Sequence, residues 1–461
     1  MATGRIYMTA VKTITVNSSI DDSTTLQKVI DLTGNMPVKF DFQGDELEIN
    51  SLIRFYNYAE IAGNGITFRL MENAPTNTFG EGVGLIGAKK PLATEGFCFH
   101  DFTFEGTRDS QSYVEKLYTK PWGHGYHNLI MLGTFGCVGY EHARDCEIYN
   151  INYKNSLGDL LRCEGGTNIT AHDITAYRGG HDVIYVVANG ADIYNLNVEL
   201  SVNSAARTRS SHNVKIHDCK LVHKGKIAYA PAIQIQSTAK NWTSSNIEIY
   251  NNEIYNTYGP GIQVAASVPN NGLVSVHNNL FVGCGQMPGA NKLPNVGGIL
   301  FNGHKMNIYN NTFDGCYGYG IAAGNYNVGN SDYYSATISR NIVTNTKKSL
   351  YAGTSSGAGI ANLLGSKYTI SCSENDVYEN IKDLYNVTQT NGISKDPLFV
   401  GNGDYHLKEN SPCRFSGYQL GCYSDTTEND DELSLMITCS DEDTDTITNE
   451  LSKKYTIYRS E

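Results

Sequence analysis

Apolar and polar residues alternate in short segments that recur along most of the chain. Nine segments share the pattern apolar-x-apolar-(Tyr/His)-(Asn/Asp) or a near variant, and they follow one another at intervals of 22 to 33 residues. Their central apolar residues are Ile148, Ala171, Ile193, Ile216, Ile249, Val276, Ile308, Ile338 and Ile370, with fainter copies at Ile61 and Phe99. Alternation indicates β-strands, and a fixed spacing in this range indicates stacked repeats that bury their apolar sides against one another.

Each repeat contains two further short runs separated by Gly-rich or Asn-rich turns. Ala232–Gln236 and Gly261–Ala265 are examples. Two or three strands joined by tight turns make one coil of a parallel β-helix, and no repeat contains a stretch of helical period. We therefore predict an all-β fold, a parallel β-helix of about 10–12 coils.

The two ends of the chain differ from the repeats. Asp22 can cap a helix that has Leu26, Val29 and Ile30 on one side and ends near Gly34. Such a helix would cover the exposed first coil. We predict an N-terminal segment with a capping helix at 1–34, a β-helix at 35–423, and an acidic tail or small appendage at 424–461.

One column of asparagines falls at a single position of the repeat. It contains Asn252, Asn279, Asn311 and Asn341, whereas earlier coils have Ile151, Ile174, Leu196 and Cys219 there. Stacked amides about 4.8 Å apart can donate to and accept from the coils above and below. An internal amide ladder is therefore expected. Asn is also common in turns and tolerates left-handed backbone, which is the simpler explanation.

The composition of the chain limits the kinds of partner that it can bind. The chain has 461 residues and a net charge of −12, from 35 basic and 47 acidic residues, which argues against a nucleic-acid partner. No apolar stretch is long enough to span a membrane, and the first 20 residues lack the pattern of a secretory signal. The 31 Tyr residues suit a protein that stacks against sugars.

One interval is too long for a coil. Phe99 and Ile148 are 49 residues apart, and the extra segment contains Trp122, His124 and Tyr126. Aromatic faces beside hydrogen-bond donors are surfaces on which sugar rings pack. We predict that this insertion forms a substrate-binding wall, although its aromatic residues could instead pack on the coil below.

Functional side chains fall in register on the strands of the middle coils. One predicted outward column contains Arg162, Tyr185, Arg207, Gln234 and Gln263, and it continues as Leu300 and Ala322. The next column contains Glu164, Val187, Arg209, Gln236 and Ala265. Asp159, His181 and Asp182 flank these columns at the preceding corner.

This cluster carries the chemistry that glycan cleavage needs. Candidate catalytic residues are Asp159, Glu164, His181, Asp182, Tyr185 and Arg207. Candidate substrate-binding residues are Arg162, Arg209, Gln234, Gln236 and Gln263, together with the three aromatic or imidazole residues of the insertion. Arginines can hold a uronate carboxylate, and His, Tyr or a carboxyl group can transfer protons. The alternative is a salt-bridge lattice that only supports the stack. A slip of one residue in register would turn every side chain over.

These segments resemble the right-handed parallel β-helix superfamily of pectate-lyase-like polysaccharide enzymes over about residues 20–423. The segments Arg207–His217, Ala232–Ser237 and Ile249–Gln263 are more narrowly similar to the archaeal disaggregatase group. That group is associated with the breakdown of methanochondroitin, a uronate-containing matrix around methanogen aggregates. The resemblance implies a polysaccharide substrate and an extracellular or cell-surface location, or a virion-associated one. It fixes no catalytic residue, and the Ca²⁺-binding aspartates of pectate lyases have no clear match here.

Three functions stay open at this point. The first is a depolymerase that cleaves an acidic, chondroitin-like glycan by β-elimination, with Arg207 and Arg209 as cations and His181 or Tyr185 as base and acid. The second is a hydrolase that uses Glu164 and Asp182, with Asp159 in reserve. The third is a non-catalytic spike or adhesin. The sequence establishes no cofactor, Ca²⁺ is a candidate, and a homo-oligomer such as a trimer is expected.

Overall fold

The structure is a computed structural model. It describes residues 12–75, 78–79, 83–112, 127–134, 139–222, 231–237, 243–266, 272–287, 296–324, 334–350 and 357–423. The predicted tail, 424–461, lies outside these residues. No helix among them is long and apolar enough to cross a membrane.

Parallel strands stack in three columns, here called faces 1, 2 and 3, and confirm the right-handed parallel β-helix. Two long strands, Leu161–Gly179 and Ile184–Ser201, pass through face 3, face 1 and face 2 in turn. Cys98–Glu105 and Ala143–Lys154 pass through faces 1 and 2, and Thr94–Glu95 pairs with the start of the latter. Face 1 also contains Lys12–Val16, Val38–Phe42, Ala59–Ala62, His212–His217, Ser245–Tyr250, Leu273–His277, Lys305–Tyr309, Tyr334–Ser339, Tyr368–Ser373 and Gln389–Thr390.

The other two faces are built from shorter strands. Face 2 contains Glu46–Ile49, Thr67–Leu70, Lys220–Val222, Glu253–Tyr255, Leu280–Val282, Thr312–Asp314, Ile342–Thr344 and Asp376–Tyr378. Face 3 contains Ile53–Phe55, Gly84–Ala88, Asn128–Gly133, Ala206–Arg209, Ile233–Ser237, Ile262–Ala266, Gly297–Phe301, Tyr319–Ala323, Ala358–Asn362 and Leu384–Tyr385. Short 3₁₀ turns lie at Pro91–Ala93, Arg108–Ser110 and Gly365–Lys367. Two antiparallel hairpins, Phe399–Gly401 with Asp404–Leu407 and Arg414–Phe415 with Tyr418–Gln419, end the described chain.

The predicted column of central apolar residues forms the core of face 1. Its members pair from Ile61 through Phe99 and Ile148 to Ile338, and all of them are buried. The last predicted member is wrong: Cys372, not Ile370, lies opposite Ile338. Ile370 pairs with Ala336, two residues earlier, because Tyr368–Ser373 alternates equally well in either register.

The amide ladder is confirmed and is one residue longer than predicted. The side-chain amide of Asn252 donates to Asn279, which donates to Asn311, then Asn341, then Asn375, at 2.9 to 3.0 Å. All five side chains are buried. The left-handed turn is made by the preceding residue, for example Asn251 with φ 53°. The ladder asparagines therefore serve hydrogen bonding rather than backbone conformation.

The predicted helix is present at Ser23–Thr33. The side chain of Asp22 accepts from the backbone N–H of Thr25, and Gly34 ends the helix with φ 60°. Leu26 and Ile30 are buried, whereas Val29 is only half-buried. Lys12–Val16, which precedes the helix, pairs in parallel with Val38–Phe42. The stack therefore begins before the helix, which lies between its first two face 1 strands in sequence.

Outside the core of face 1, eight aromatic rings stack in a continuous row, here called the ring ladder. It alternates strictly between His and Tyr, with centroids 4.6 to 5.3 Å apart, in the order His100, Tyr149, His172, Tyr194, His217, Tyr250, His277 and Tyr309. Each imidazole also reaches an acidic residue on the preceding coil, as His217 reaches Asp192 at 3.0 Å. The ring ladder therefore repeats every two coils.

Candidate functional site

Face 3 holds the predicted columns in the predicted register. Arg162 pairs with Tyr185, Tyr185 with Arg207, Arg207 with Gln234, and Gln234 with Gln263. Their strand neighbours, such as Leu161 and Cys163, belong to the core, so the column points away from it. In the second column Glu164 pairs with Val187, Arg209 with Gln236, and Gln236 with Ala265.

The polar column is bounded at both ends. Met131 precedes Arg162, and Leu300 and Ala322 follow Gln263. Leu300 and Ala322 join a small apolar cluster with Tyr319, Ala358 and Ala361. The cluster from Arg162 to Gln263 thus lies on the middle coils, as the sequence predicted, while Arg54 stands apart from it, two coils before Met131 in the same column.

The expectation of solvent-exposed side chains needs correction. Arg162 and Tyr185 are each 2% exposed and Glu164 is 5% exposed, while Asp159 and Asp182 are fully buried. Among the charged and amide residues of the two columns, only three are half-buried rather than buried: Arg207, Arg209 and Gln236. A side chain that points away from the core can still be shielded from solvent by its neighbours. Substitutions at these positions therefore change the stability of the protein as well as its chemistry.

Two aspartates hold His181 at the corner where these strands begin. Nδ1 of His181 lies 2.9 Å from Asp159 Oδ1 and 3.2 Å from Asp182 Oδ2. The backbone N–H of Asp182 donates to Asp159 Oδ1 at 2.8 Å. Asp182 Oδ1 accepts from the Asn203 side chain at 2.7 Å and from the Ser204 backbone at 2.9 Å. Adjacent coils are thereby fixed to one another.

Charge stabilises this corner. Burial alone would lower the pKa of His181, but the charges of Asp182 and Asp159 outweigh it and raise that pKa to about 9. Burial would raise the pKa of Asp182, but His181 and Arg207 lower it to about 2. His181 is therefore a buried imidazolium between two carboxylates at neutral pH.

The same three side chains are the only described His, Cys, Asp and Glu groups whose potential ligand atoms converge, within 4.8 Å. Every carboxylate oxygen among them already accepts from a donor: Asp159 from His181, the Asp182 backbone and Arg162, and Asp182 from Asn203, Ser204, His181 and Arg207. Ca²⁺ takes six to eight oxygen ligands and would meet cations here. These residues do not fit a Ca²⁺ site.

Tyr185 lies between two guanidinium groups. The Arg162 carbon Cζ is 4.3 Å and the Arg207 carbon Cζ 5.3 Å from its ring centroid. Arg162 donates to Glu164 Oε1 from Nε at 2.9 Å and from Nη2 at 2.7 Å, and to Asp159 from Nη1 at 3.1 Å. Burial raises the pKa of Tyr185, as does the charge of Glu164, against the opposing effect of both arginines. The phenol therefore stays protonated at neutral pH.

Arg207 is less completely bonded than Arg162. It donates to Gln236 at 2.8 Å and reaches Asp182 only at 3.4 Å, while its buried Nε has no partner among the described residues. Gln234 donates to Gln263 at 2.7 Å and continues the row. A partly bonded, half-buried guanidinium is suited to receive an anionic oxygen from a ligand.

Residues 139–142, here called the lip, cross the opposite edge of face 3, where these strands end. The backbone N–H of His142 donates to Gly165 at 2.9 Å, one residue after Glu164. The hydroxyl of Tyr140 donates to the Ser210 carbonyl at 2.5 Å, one residue after Arg209. Gly165 has φ 87°, and a Cβ there would lie 2.6 Å from the His142 ring. The lip and the Asp159–His181–Asp182 corner thus bound the polar columns on two sides.

Sequence reasoning missed two parts of this site. Asn203 carries no repeat signal, although it follows Asp182 by about one coil. The lip belongs to the long insertion, for which the repeat gives no register. The other residues predicted from that insertion, Trp122, His124 and Tyr126, lie outside the described residues, so the predicted wall stays a prediction.

Comparison with known families supports the resemblance in the second half of the chain. Residues 244–426 match the family model described as "Disaggregatase related". The resemblance to the disaggregatase group is confirmed. The match covers about two fifths of the chain and begins after Arg209, so the charged residues of the middle coils lie before it. No curated protein matches the sequence significantly.

Solved structures show the same fold at low identity. The A-module of the Azotobacter vinelandii mannuronan C-5 epimerase AlgE6 is 12% identical, with a TM-score of 0.54, over 81% of this chain and 95% of that one. The A-module of AlgE4 from the same organism is 14% identical, with a TM-score of 0.51, over the same shares of both chains. A polygalacturonase from Erwinia carotovora is 12% identical, with a TM-score of 0.42, over 84% of this chain and 97% of that chain.

Proposed function

We propose that this protein is a depolymerase that cleaves an acidic, uronate-containing polysaccharide by β-elimination, outside the cell or at its surface. The resemblance to the disaggregatase group and to β-helix proteins named for polysaccharide chemistry supports the substrate class. The cluster of arginines, a tyrosine and a carboxyl group on face 3 supports catalysis rather than adhesion, because an adhesin needs no partly bonded arginine beside proton-transfer groups.

The engagement of Asp159 and Asp182 favours elimination over hydrolysis. Hydrolysis of a glycoside needs two carboxyl groups about 5–9.5 Å apart, one of which attacks or activates water. Both aspartates are fully buried, and all their oxygens accept hydrogen bonds. Glu164 is then the one carboxyl group of the described cluster with an oxygen, Oε2, that is not engaged by a described residue. Elimination needs only a cation, a base and an acid.

Two of these roles fall to residues of the first two columns. Arg207 and Arg209 would bind the uronate carboxylate and stabilise the negative charge that develops when the neighbouring C–H bond breaks. Tyr185 would give its proton to the leaving glycosidic oxygen, since its hydroxyl forms no hydrogen bond with a described residue and burial keeps it protonated. His181 is unsuited to be the base, because its imidazole is already protonated and its Nδ1 is held by Asp159 and Asp182.

Hydrolysis is the second candidate, and one observation favours it. Burial raises the pKa of Glu164, against the opposing charge of Arg162, as befits the proton donor of a glycosidase. The second carboxyl group would then have to come from outside the described residues.

The products distinguish these functions. The protein would be incubated with unsulfated chondroitin and with polygalacturonate, and the fragments analysed by mass spectrometry. Fragments lighter by one water molecule than hydrolytic ones, with ultraviolet absorbance from a conjugated C=C bond, are expected. Saturated fragments would establish hydrolysis. Retention of either polymer without cleavage, by both wild type and Tyr185→Phe, would establish a binding protein.

A further inference from the structure

One arginine stands outside the charged cluster but in the same column of face 3. Arg54 lies opposite Gly87, which pairs with Met131. Met131 in turn precedes Arg162, so Arg54 is three coils before Arg162. Arg207 is two coils further on, which puts it on the order of 24 Å from Arg54 along the stack at the usual strand spacing. Both strand neighbours of Arg54 belong to the core, so its side chain points to the outer side of the face.

The charge of Arg54 is not balanced by any described carboxylate. Its guanidinium donates only to backbone carbonyls, from Nη1 to Ile53 at 2.8 Å and Leu85 at 3.2 Å, and from Nη2 to Gly84 at 3.0 Å. The side chain is half-buried, and its Nε forms no hydrogen bond with a described residue. Burial lowers the pKa of Arg54, but a guanidinium stays charged at neutral pH. Carbonyls satisfy N–H groups without neutralising the charge, so an anion is favoured at this position.

The proposed elimination gives the departing part of the glycan a direction. Tyr185, which gives its proton to the leaving oxygen, lies one coil before Arg207, which binds the uronate carboxylate. The polymer beyond that oxygen therefore extends along the column toward the N-terminal coils. Arg162 offers it no free charge there, because two buried carboxylates hold that guanidinium. The next positively charged residue of the column is Arg54.

We propose that Arg54 is a second carboxylate-binding subsite, an inference that rests on the proposed elimination. It binds a uronate on the leaving side of the cleaved bond, several sugar units away from the uronate at Arg207. Gly87 and Met131, which lie between Arg54 and the cluster, carry no charge. A Cβ on Gly87 would lie 3.7 Å from Nη1 of Arg54, so a longer side chain there would stand against the guanidinium. Glycans too short to span both arginines gain nothing from this subsite.

Chain length separates this subsite from the catalytic centre. KM and kcat would be measured for uronate oligomers of increasing length, made from whichever of unsulfated chondroitin and polygalacturonate the wild type cleaves. We expect Arg54→Gln to raise KM about tenfold for oligomers that span both arginines, the effect of one charge-assisted hydrogen bond. KM for shorter oligomers, and kcat for all of them, should not change, because the contact is the same in the ground state and the transition state. Arg54→Lys keeps the charge and should keep part of the advantage of long oligomers.

A matched control removes an arginine from the same end of the stack. Arg69 on face 2 is paired with Glu46 at 3.0 Å, and Arg69→Gln should leave KM unchanged at every length. Circular dichroism and thermal melting would show that the variants fold. A KM of Arg54→Gln that is unchanged for long oligomers, or raised equally for short and long ones, would overturn the inference.

Failure of the proposed function gives a different result. If the wild type yields saturated fragments or none from either polymer, the elimination itself fails. Equilibrium binding of the same oligomers to the wild type and to Arg54→Gln then tests the subsite alone. A loss of affinity confined to long oligomers would support it, and equal binding, equal losses at every length or no binding at all would overturn it.

Discussion

Faces 1 and 3 of the β-helix both pair acidic residues with histidines, but the pairs are arranged differently on the two faces. On face 1 each ladder histidine has an acidic partner on the preceding coil, and the pattern repeats every two coils from His100 to Tyr309. On face 3 the charged cluster from Arg162 to Arg209 occupies a few coils, does not repeat, and is flanked in its column by Met131 and Leu300. A charge pattern that serves every coil equally stabilises the stack, whereas one confined to a few coils requires a local cause, and ligand chemistry is such a cause.

The two faces also differ in how much stability the protein should lose when one charge is removed. His217 and its partner Asp218 keep contact with water, with the aspartate side chain 51% exposed. Asp182 is fully buried beside Arg207 and His181. The same kind of acid–histidine pair should therefore be weakly stabilising on face 1 and essential on face 3.

The largest effect is expected from Asp182→Asn. The substitution keeps the shape but leaves His181 and Arg207 with one buried negative charge fewer, so the free energy of unfolding should fall by about 3–5 kcal/mol. Asp218→Asn on face 1 is the matched control and should cost less than about 1 kcal/mol. Denaturant unfolding measures both. Equal losses from the two variants would contradict the distinction between the faces.

The next effect concerns turnover. Arg207→Gln removes the partly bonded cation of face 3 and should lower kcat/KM by about 10²–10³-fold, as loss of a charge-stabilising donor does in other enzymes. Lys215→Gln removes a cation from the outer side of face 1 and should leave kcat/KM unchanged. Steady-state kinetics on the cleaved polymer would check both, and a normal Arg207→Gln enzyme would show that the guanidinium is only structural.

A smaller effect is expected in the pH dependence of stability. Burial lowers the pKa of His172 and of His217, but hydrogen bonds with their acidic neighbours outweigh it and raise both. A raised folded-state pKa gives stability that is fully present below about pH 6.5 and is lost as pH rises through the folded-state value. The thermal midpoint should therefore fall between pH 6.5 and mildly alkaline pH. The decline should be shallower in the double variant His172→Gln/His217→Gln than in the wild type, because the variant lacks these two contributions while that of His181 is the same in both proteins. Identical slopes in the two proteins would show that the ladder histidines do not contribute in this way.

The smallest effect tests the alternation of the ladder itself. Tyr250→His would place an imidazole directly beside His217, whose pKa its acidic neighbours raise, and repulsion between these two rings should cost roughly 0.5–1 kcal/mol at pH 5 and less at pH 8. Tyr250→Phe keeps the stacked ring and should change stability by less than about 0.5 kcal/mol. Melting curves at the two pH values suffice, and a pH-independent cost would mean that ring shape rather than charge sets the alternation.

The sequence repeat predicted the features that depend on how the strands of one coil align with those of the next. Arg162, Tyr185, Arg207, Gln234 and Gln263 could be aligned from sequence because parallel coils place equivalent residues directly above one another. The amide ladder followed for the same reason. Burial did not follow, since alternation tells which side of a strand a residue occupies but not what covers that side.

The errors lie where the repeat carries no information. Ile370 was misplaced because its strand alternates in two registers, with Cys372 as the true partner of Ile338. His142 was missed because the insertion before it has no coil to be compared with. The alternating Tyr and His of the ladder were visible as a motif, but their acidic partners lie one coil away, between 20 and 40 residues along the chain.

The amide ladder has a direction. Between ladder side chains, from Asn252 to Asn341, each amide donates to the asparagine of the next coil toward the C-terminal end. At the other end Asn252 accepts from the backbone N–H of Cys219, where the aliphatic coils begin. The side-chain amide of Asn252 therefore keeps its hydrogen bonds where the asparagine coils meet the aliphatic ones. A coil carrying an asparagine could accordingly be duplicated or deleted as a unit between Asn252 and Asn375 without disturbing the interior. Such a change after Gln263 would leave the polar columns of face 3 intact, so we expect the chain to tolerate a coil more or fewer in this half than in the charged coils.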